Sequence, residues 1–200
     1  MIDPHDAAGL AGLAFVLATA LAASVTARAS TPATRRTRFI AVGVVLLAAS
    51  MAPVAGLPLI AQVRAVPGDP SVPTIVLAAA VCWARLGAAT RVTEASRIAL
   101  AALTVIGALL LYPFALGATL FDPYRLGYGS ALLVGAVLAI ALAAALTGRT
   151  LITVSLAFGV LGWTAGVYGS TNLFDYLLDP MLVVWAVTIG IGRLMGLRRK

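Results

Sequence analysis

ALLVGAVLAIALAAALTGRTLITVSLAFGVLGWTAGVYG, residues 131–169, carries a single charged side chain, Arg149, in the turn Thr147-Gly148-Arg149-Thr150. The apolar runs on either side of that turn are too long and too uniform for barrel strands, which would alternate every second residue. A helix needs roughly 20 residues, at about 1.5 Å each, to cross a hydrocarbon layer of about 30 Å. Only helices and closed barrels satisfy their own backbone in lipid. The stretch therefore reads as two membrane helices joined by a tight turn.

The rest of the chain has the same character. Of its 200 residues, 62% are apolar and 10% are charged, and the mean hydropathy is +1.04. A soluble core of this size could not hide so much apolar surface. Cutting at charged or turn-rich stretches gives seven spans, at about 8–27, 39–61, 73–90, 97–118, 131–147, 151–169 and 180–196. The fold class expected is all-α, a polytopic transmembrane bundle forming one integral membrane domain over 1–200. The first run follows no positive segment and is longer than a signal-peptide core, so it reads as a retained span.

The charges orient the spans. The odd connections and the tail, with Arg85 near a span end, hold twelve of the fourteen basic residues; the even connections hold Arg64 and Arg125. Positive residues stay on the cytoplasmic side, which places the N-terminus outside and the C-terminus in the cytoplasm. Asp3, Asp6, Asp69, Asp122, Asp175 and Asp179 then fall outside, and Glu94 alone inside. Arg193 interrupts the last apolar run near its end, where an arginine snorkels to the interface, so the last span is kept. The formal charge of +7 is thus explained by topology and does not point to nucleic acid.

Several residues invite a structural reading. Pro53 and Pro58 in span two and Pro113 in span four each remove a backbone donor and are expected to kink their helices; such kinks line a cavity or only shape packing. Gly162 and Gly166 stand four apart in span six and allow close helix approach. Cys82, the one cysteine, forms no intrachain disulfide and reads as a small apolar filler. Leu120-Phe121-Asp122 and Leu173-Phe174-Asp175 echo each other, too briefly to define a repeat.

Candidate chemistry gathers at the outer end of the C-terminal half. Tyr112, Tyr124, Tyr128, Tyr168 and Tyr176 all fall there, beside Phe114, Phe121 and Phe174, with Asp122, Arg125, Asn172, Asp175 and Asp179 between them. An interfacial aromatic belt with loop charges in water accounts for this composition. The sharper reading takes Asn172, Asp175 and Asp179, with Tyr124 and Tyr176, as a ligand or cation site. On a helix, the four-residue spacing of the two carboxylates would put both on one face, able to hold a divalent cation or a polar headgroup. Against this, Asp179-Pro180 is also a good helix start, with the aspartate as N-cap, and Asp175 could simply keep Leu173–Leu178 wet on one side.

The motifs of several enzyme classes are absent. The aspartate patterns of membrane prenyltransferases and of CDP-alcohol phosphatidyltransferases do not occur. His5 is the one histidine, which excludes two-histidine metal sites and multi-histidine haem ligation. No phosphate-binding glycine loop is present, and no cofactor or metal is expected. Ion pumps and voltage sensors need ionisable groups deep in the membrane; Arg85, the deepest, can reach the headgroups. A passive pore or lipid path needs shape more than charge.

Three functional classes remain. One is a non-catalytic subunit or scaffold of a cell-envelope assembly. Another is a small transporter, channel or lipid-handling protein using kinked helices two and four. The third is a lipid- or headgroup-modifying enzyme working through Asp122, Arg125, Asp175 and Asp179. The expected partners are membrane lipids, with other membrane subunits or further copies of the chain. An excess of arginine over lysine and abundant alanine suggest a GC-rich bacterial genome, and hence a bacterial inner membrane.

Overall fold

The computed structural model describes residues 3–29, 31–90, 92–117 and 121–196. Arg91, Leu120 and the basic tail Arg198-Arg199-Lys200, all used in the sequence reading, lie outside the described residues. Contacts cluster into two compact units: Met1–Pro70 with Thr74–Arg91, and Ser71–Pro73 with Val92–Lys200.

In the first unit, α1 spans Pro4–Val25. Asp3 caps it by accepting from the His5 N–H at 2.9 Å, and Pro4 takes the first helical position, where a missing N–H costs nothing. Thr31 and Pro32 repeat the device at the start of α2, Pro32–Ser50. This helix begins well before residue 39, so Arg35, Arg36 and Arg38 sit in its first turns rather than in a connection. Helices α3, Leu59–Arg64, and α4, Val72–Arg85, complete the unit.

The second span does not run as one kinked helix over 39–61. The helix stops at Ser50, and the chain turns through a two-stranded hairpin, β1 Pro53–Val54 against β2 Leu57–Pro58. Both prolines lack the N–H that a continuing helix needs, and Ala55 at φ 49° with Gly56 at φ 84° supplies the left-handed pair of a tight hairpin turn. The freed backbone is satisfied locally: Leu59 N–H donates to Ala52 O at 2.9 Å, and the Gln62 side chain donates to Val54 O.

Arg64 closes the far side of this unit. Its guanidinium reaches Asp6 of α1 at 2.7 Å and Asp69 of the following loop at 2.7 Å. The hydrogen bonds to Asp69 and then Asp6 raise its pKa above the ordinary arginine value. Asp69 in turn lies directly over Gly9, where no Cβ would fit. At the opposite ends of α1 and α4, Arg85 donates to Ala23 O at 3.1 Å.

The second unit holds α5 Glu94–Ala115, a 3-10 turn Pro123–Gly127, α6 Ala131–Leu146, α7 Thr150–Thr164, α8 Leu173–Leu177 and α9 Pro180–Leu194. Helix α5 packs against α9 and α7, α6 against α7, and α7 against α8. Ala101 with Ala186 and Ile189 forms a small apolar cluster between α5 and α9. Pro113 stays within α5, two residues before its end, so its missing donor costs one bond in the last turn. Helix α7 stops at Thr164, and Gly166 follows in a left-handed turn at φ 62°. The close-packing glycines are therefore Gly159, hard against Leu177, and Gly162, in ordinary contact with Tyr176, rather than Gly162 with Gly166.

The fold is all-α apart from the short hairpin. Among the described residues, two helices, α1 and α5, are long and apolar enough to cross a membrane. At 22 residues each, they measure about 33 Å. Helices α4, α6, α7 and α9 are apolar but shorter. Their outward faces carry no polar stripe: Leu132, Leu142 and Leu146 of α6, Phe158 and Leu161 of α7, and Val184, Ile191 and Leu194 of α9 are all exposed.

Candidate functional site

The residues singled out in the C-terminal half meet at one end of the second unit, each placed by a short local motif. Asp122 caps the 3-10 turn, accepting from the Tyr124 N–H at 2.9 Å. Asn172 caps α8, its Oδ1 accepting from the Phe174 N–H at 2.9 Å. Its Nδ2 donates across to Tyr124 O at 2.9 Å, so this fully buried amide joins α8 to the 3-10 turn. Asp179 caps α9: Oδ1 accepts from the Leu182 N–H at 2.8 Å, and Oδ2 accepts from the Ser71 N–H at 2.7 Å.

Asp175 and Asp179 do not share a helical face. Helix α8 ends at Leu177, Leu178 is extended at φ −143°, and Asp179 opens the next helix at φ −141°. The four-residue spacing puts two carboxylates together only on a continuous helix, and the proline at 180 lets the chain start a new one instead. Of the two roles the sequence offered Asp179, the cap is the one it fills.

Asp175 is the centre of the cluster. The Tyr124 hydroxyl lies 2.8 and 3.0 Å from its two carboxylate oxygens and donates to this group, and the Ser170 hydroxyl also donates to it. Burial, followed by the hydrogen bond and charge of Asp175, pushes the Tyr124 phenol well above its ordinary range. The Tyr124 ring stacks on Phe174 at 6.3 Å and meets Tyr128 edge-on at 5.8 Å. Tyr176 is fully buried. Its hydroxyl accepts from the Tyr168 N–H at 3.0 Å and lies within donating distance of Tyr168 O and Ser170 O, while its ring stacks on Tyr168 at 5.0 Å.

Arg125 stands apart: it is exposed, and it joins the cluster through its backbone, its N–H donating to Asp122 O at 3.3 Å and its carbonyl accepting from the Tyr128 N–H at 3.4 Å. Among the described residues, no group of three or more His, Cys, Asp or Glu side chains converges as a metal site would require. The arrangement fixes loops: two aspartates and an asparagine terminate helices, and the third aspartate receives two hydroxyls. A tyrosine held protonated is a poor general base, and a carboxylate with both oxygens on backbone N–H groups has little left for a substrate.

Sequence reasoning missed Ser170, Gly127 and Ser71. Ser170 has a local signature, two residues before the capping Asn172, and its Oγ also accepts from the Asn172 N–H at 3.0 Å. Gly127 lies against Asn172 with no room for a Cβ, and Ser71 pairs with a residue 108 positions away; neither leaves a spacing signal.

Below this polar layer is a cavity of about 140 Å³, formed within the second unit by α5, α6, α7, α8 and α9 and by Pro73. Among the described residues, Thr104 is the one polar side chain in its lining, and Phe174 and Leu177 of α8 form part of its wall. Comparison of the chain with protein-family models, with curated proteins and with solved structures gives no match in any of the three.

Proposed function

We propose that the chain is an integral membrane protein of seven crossings, with the N-terminus outside and the C-terminus cytoplasmic, that serves a bacterial inner-membrane assembly as a non-catalytic subunit or scaffold. The observation that carries the non-catalytic reading is the employment of the candidate carboxylates. Asp122 and Asp179 hold helix starts, and Asp175 holds Tyr124 and Ser170. An enzyme using these groups would have to dismantle its own loops to free them.

The grouping of helix ends within each unit supports the threading. In the first unit, Arg85 joins the ends of α1 and α4, while Arg64, Asp6 and Asp69 gather at the other side. In the second, Arg149 donates to Ala95 O, and Arg193 lies 3.6 Å from Glu94, bringing the arginine-bearing end of α9 to the start of α5. At the opposite end lie Asp122 and Asp179, which cap the 3-10 turn and α9, and Asp175, which holds Tyr124 and Ser170. In each unit arginines mark one end, Arg85 in the first and Arg149 with Arg193 in the second, and aspartates mark the other, where Arg64 is paired with two of them; this is the bias that positive-inside sorting produces. Helices of 14 to 16 residues such as α4 and α6 are accommodated by local thinning and by snorkelling of Arg85 and Arg193. The leucines exposed around α6 have lipid as their natural solvent.

Two measurements test this. With Cys82 replaced by alanine, a cysteine at Tyr128 should react with a membrane-impermeant maleimide in intact cells, and one at Thr147 only after lysis; the reverse pattern overturns the threading. Light scattering of the protein extracted from its native membrane in mild detergent should give a mass above that of one 20.4 kDa chain. A stable monomer with no associated subunit would remove the scaffold reading.

A further inference from the structure

We propose that the cavity beneath α8 is a binding site for the terminal few carbons of one hydrocarbon chain, the end of the acyl tail of a membrane lipid. Its volume, about 140 Å³, is comparable to a core cavity that stays dry and admits one benzene-sized guest. Water has almost nothing to bond there, since among the described residues Thr104 is the one polar side chain in the lining. An empty space of this size forfeits dispersion contacts all along its walls. Apolar chain is the guest whose chemistry fits.

The space is built into one helix face. Leu100, Thr104 and Gly107 of α5 recur at the spacing of one stripe, and an added Cβ on Gly107 would meet no atom within 4 Å. Any larger residue at 107 would fill the void. Val137 of α6 and Leu156 of α7 close other sides. The wall beneath the polar layer is α8, which turns Phe174 and Leu177 to the cavity while Asp175 and Asn172 hold it from above. The polar cluster thus fixes the segment that forms this part of the cavity wall.

The source of the guest follows from the surroundings, and here the inference rests on the membrane reading above. Outside the chamber, Ile106, Leu109 and Leu110 of α5 and Leu132, Leu138 and Leu142 of α6 are exposed. In a bilayer these faces are bathed in acyl chains, and the cavity offers the end of one of them a protein-lined seat.

The test uses the full chain in nanodiscs of phosphatidylcholine and phosphatidylglycerol containing a tracer phosphatidylcholine with a diazirine near the end of one acyl chain. After irradiation, mass spectrometry should find adducts on Thr104, Val137 and Phe174 in excess over Leu132 and Leu146 of the outward faces. Gly107→Leu should lower the lining adducts roughly tenfold, leave the outward ones unchanged, and keep the thermal midpoint at or above that of the parent. Thr104→Leu, which also adds bulk to the lining, serves the same purpose if Gly107→Leu does not fold. Lining adducts no more frequent than outward ones, or insensitive to both substitutions, would overturn the site. Absence of adducts at Leu132 and Leu146 as well would instead overturn the membrane reading.

Discussion

Gly127 of the 3-10 turn lies against the side-chain amide of Asn172, with no room between them for a Cβ. The closeness lets one buried amide cap α8 and bond Tyr124 O at once. Gly127→Ala should therefore displace Asn172 and cost about 2 kcal/mol, the range of an overpacked site with a strained polar group. Thermal unfolding in detergent would read this as a lowered midpoint. A double-mutant cycle with Asn172→Ala should show strong coupling, because the alanine at 172 removes the group that clashes.

Variants of Asp179 separate its two acceptor oxygens. Asp179→Ala removes the acceptor for both the Leu182 and the Ser71 N–H groups and should cost about 2–4 kcal/mol, a cap plus a buried hydrogen bond. Asp179→Asn keeps one oxygen for the helix start and should cost about half as much or less. Equal loss in the two variants, measured by chemical or thermal unfolding, would mean that the second oxygen, the acceptor for the Ser71 N–H, outweighs the cap on α9.

The Tyr124 phenol carries a pH signature. Its pKa is raised in the folded protein, by burial first and by Asp175 next. The folded state therefore favours the protonated phenol. This contribution is fully present below the unfolded tyrosine pKa of about 10 and is lost as pH rises above it towards the folded value. Stability should fall above about pH 10, and Tyr124→Phe should flatten that fall while lowering stability at neutral pH by about 1 kcal/mol through the lost hydrogen bond. An unchanged alkaline limb in Tyr124→Phe would assign the fall to other groups.

Arg64 is partly exposed, at 27%, and its partners Asp6 and Asp69 are at 54% and 24%. Solvent screening limits what such a bridge contributes, so Arg64→Gln should cost about 1 kcal/mol, less in high salt. Gly9→Ala at the same place should cost more, because its Cβ collides with Asp69, and only the part of that cost due to the displaced Arg64–Asp69 pair should fall in high salt. The contrast is readable from unfolding midpoints at low and high ionic strength.

How much of this was legible depended on distance along the chain. Helices α6 and α9 follow their apolar runs closely, and Asp179-Pro180 announced a helix start. Gathering of the outer tyrosines and aspartates at one end of a unit followed from reading the connections alone. The break in the second span was visible only in part: Pro53 and Pro58 predicted a disturbance, but a hydropathy pattern does not distinguish a bent helix from a hairpin made of the same apolar residues. The Asp175–Asp179 spacing misled because a single extended residue, Leu178, sets the two on different segments. Pairs such as Arg64 with Asp6 and Ser71 with Asp179 have no periodicity to find. Packing chooses them, and packing is not written locally.

The bond between Ser71 and Asp179 also orders events during synthesis. Its two partners are 108 residues apart, so the ribosome must add that many residues after Ser71 before the acceptor for its N–H exists. Release of a chain truncated ahead of residue 179 leaves α9 unmade and that contact unformed. The junction of Ser71 with the start of α9 therefore forms only after α5, α6, α7 and α8 have been made.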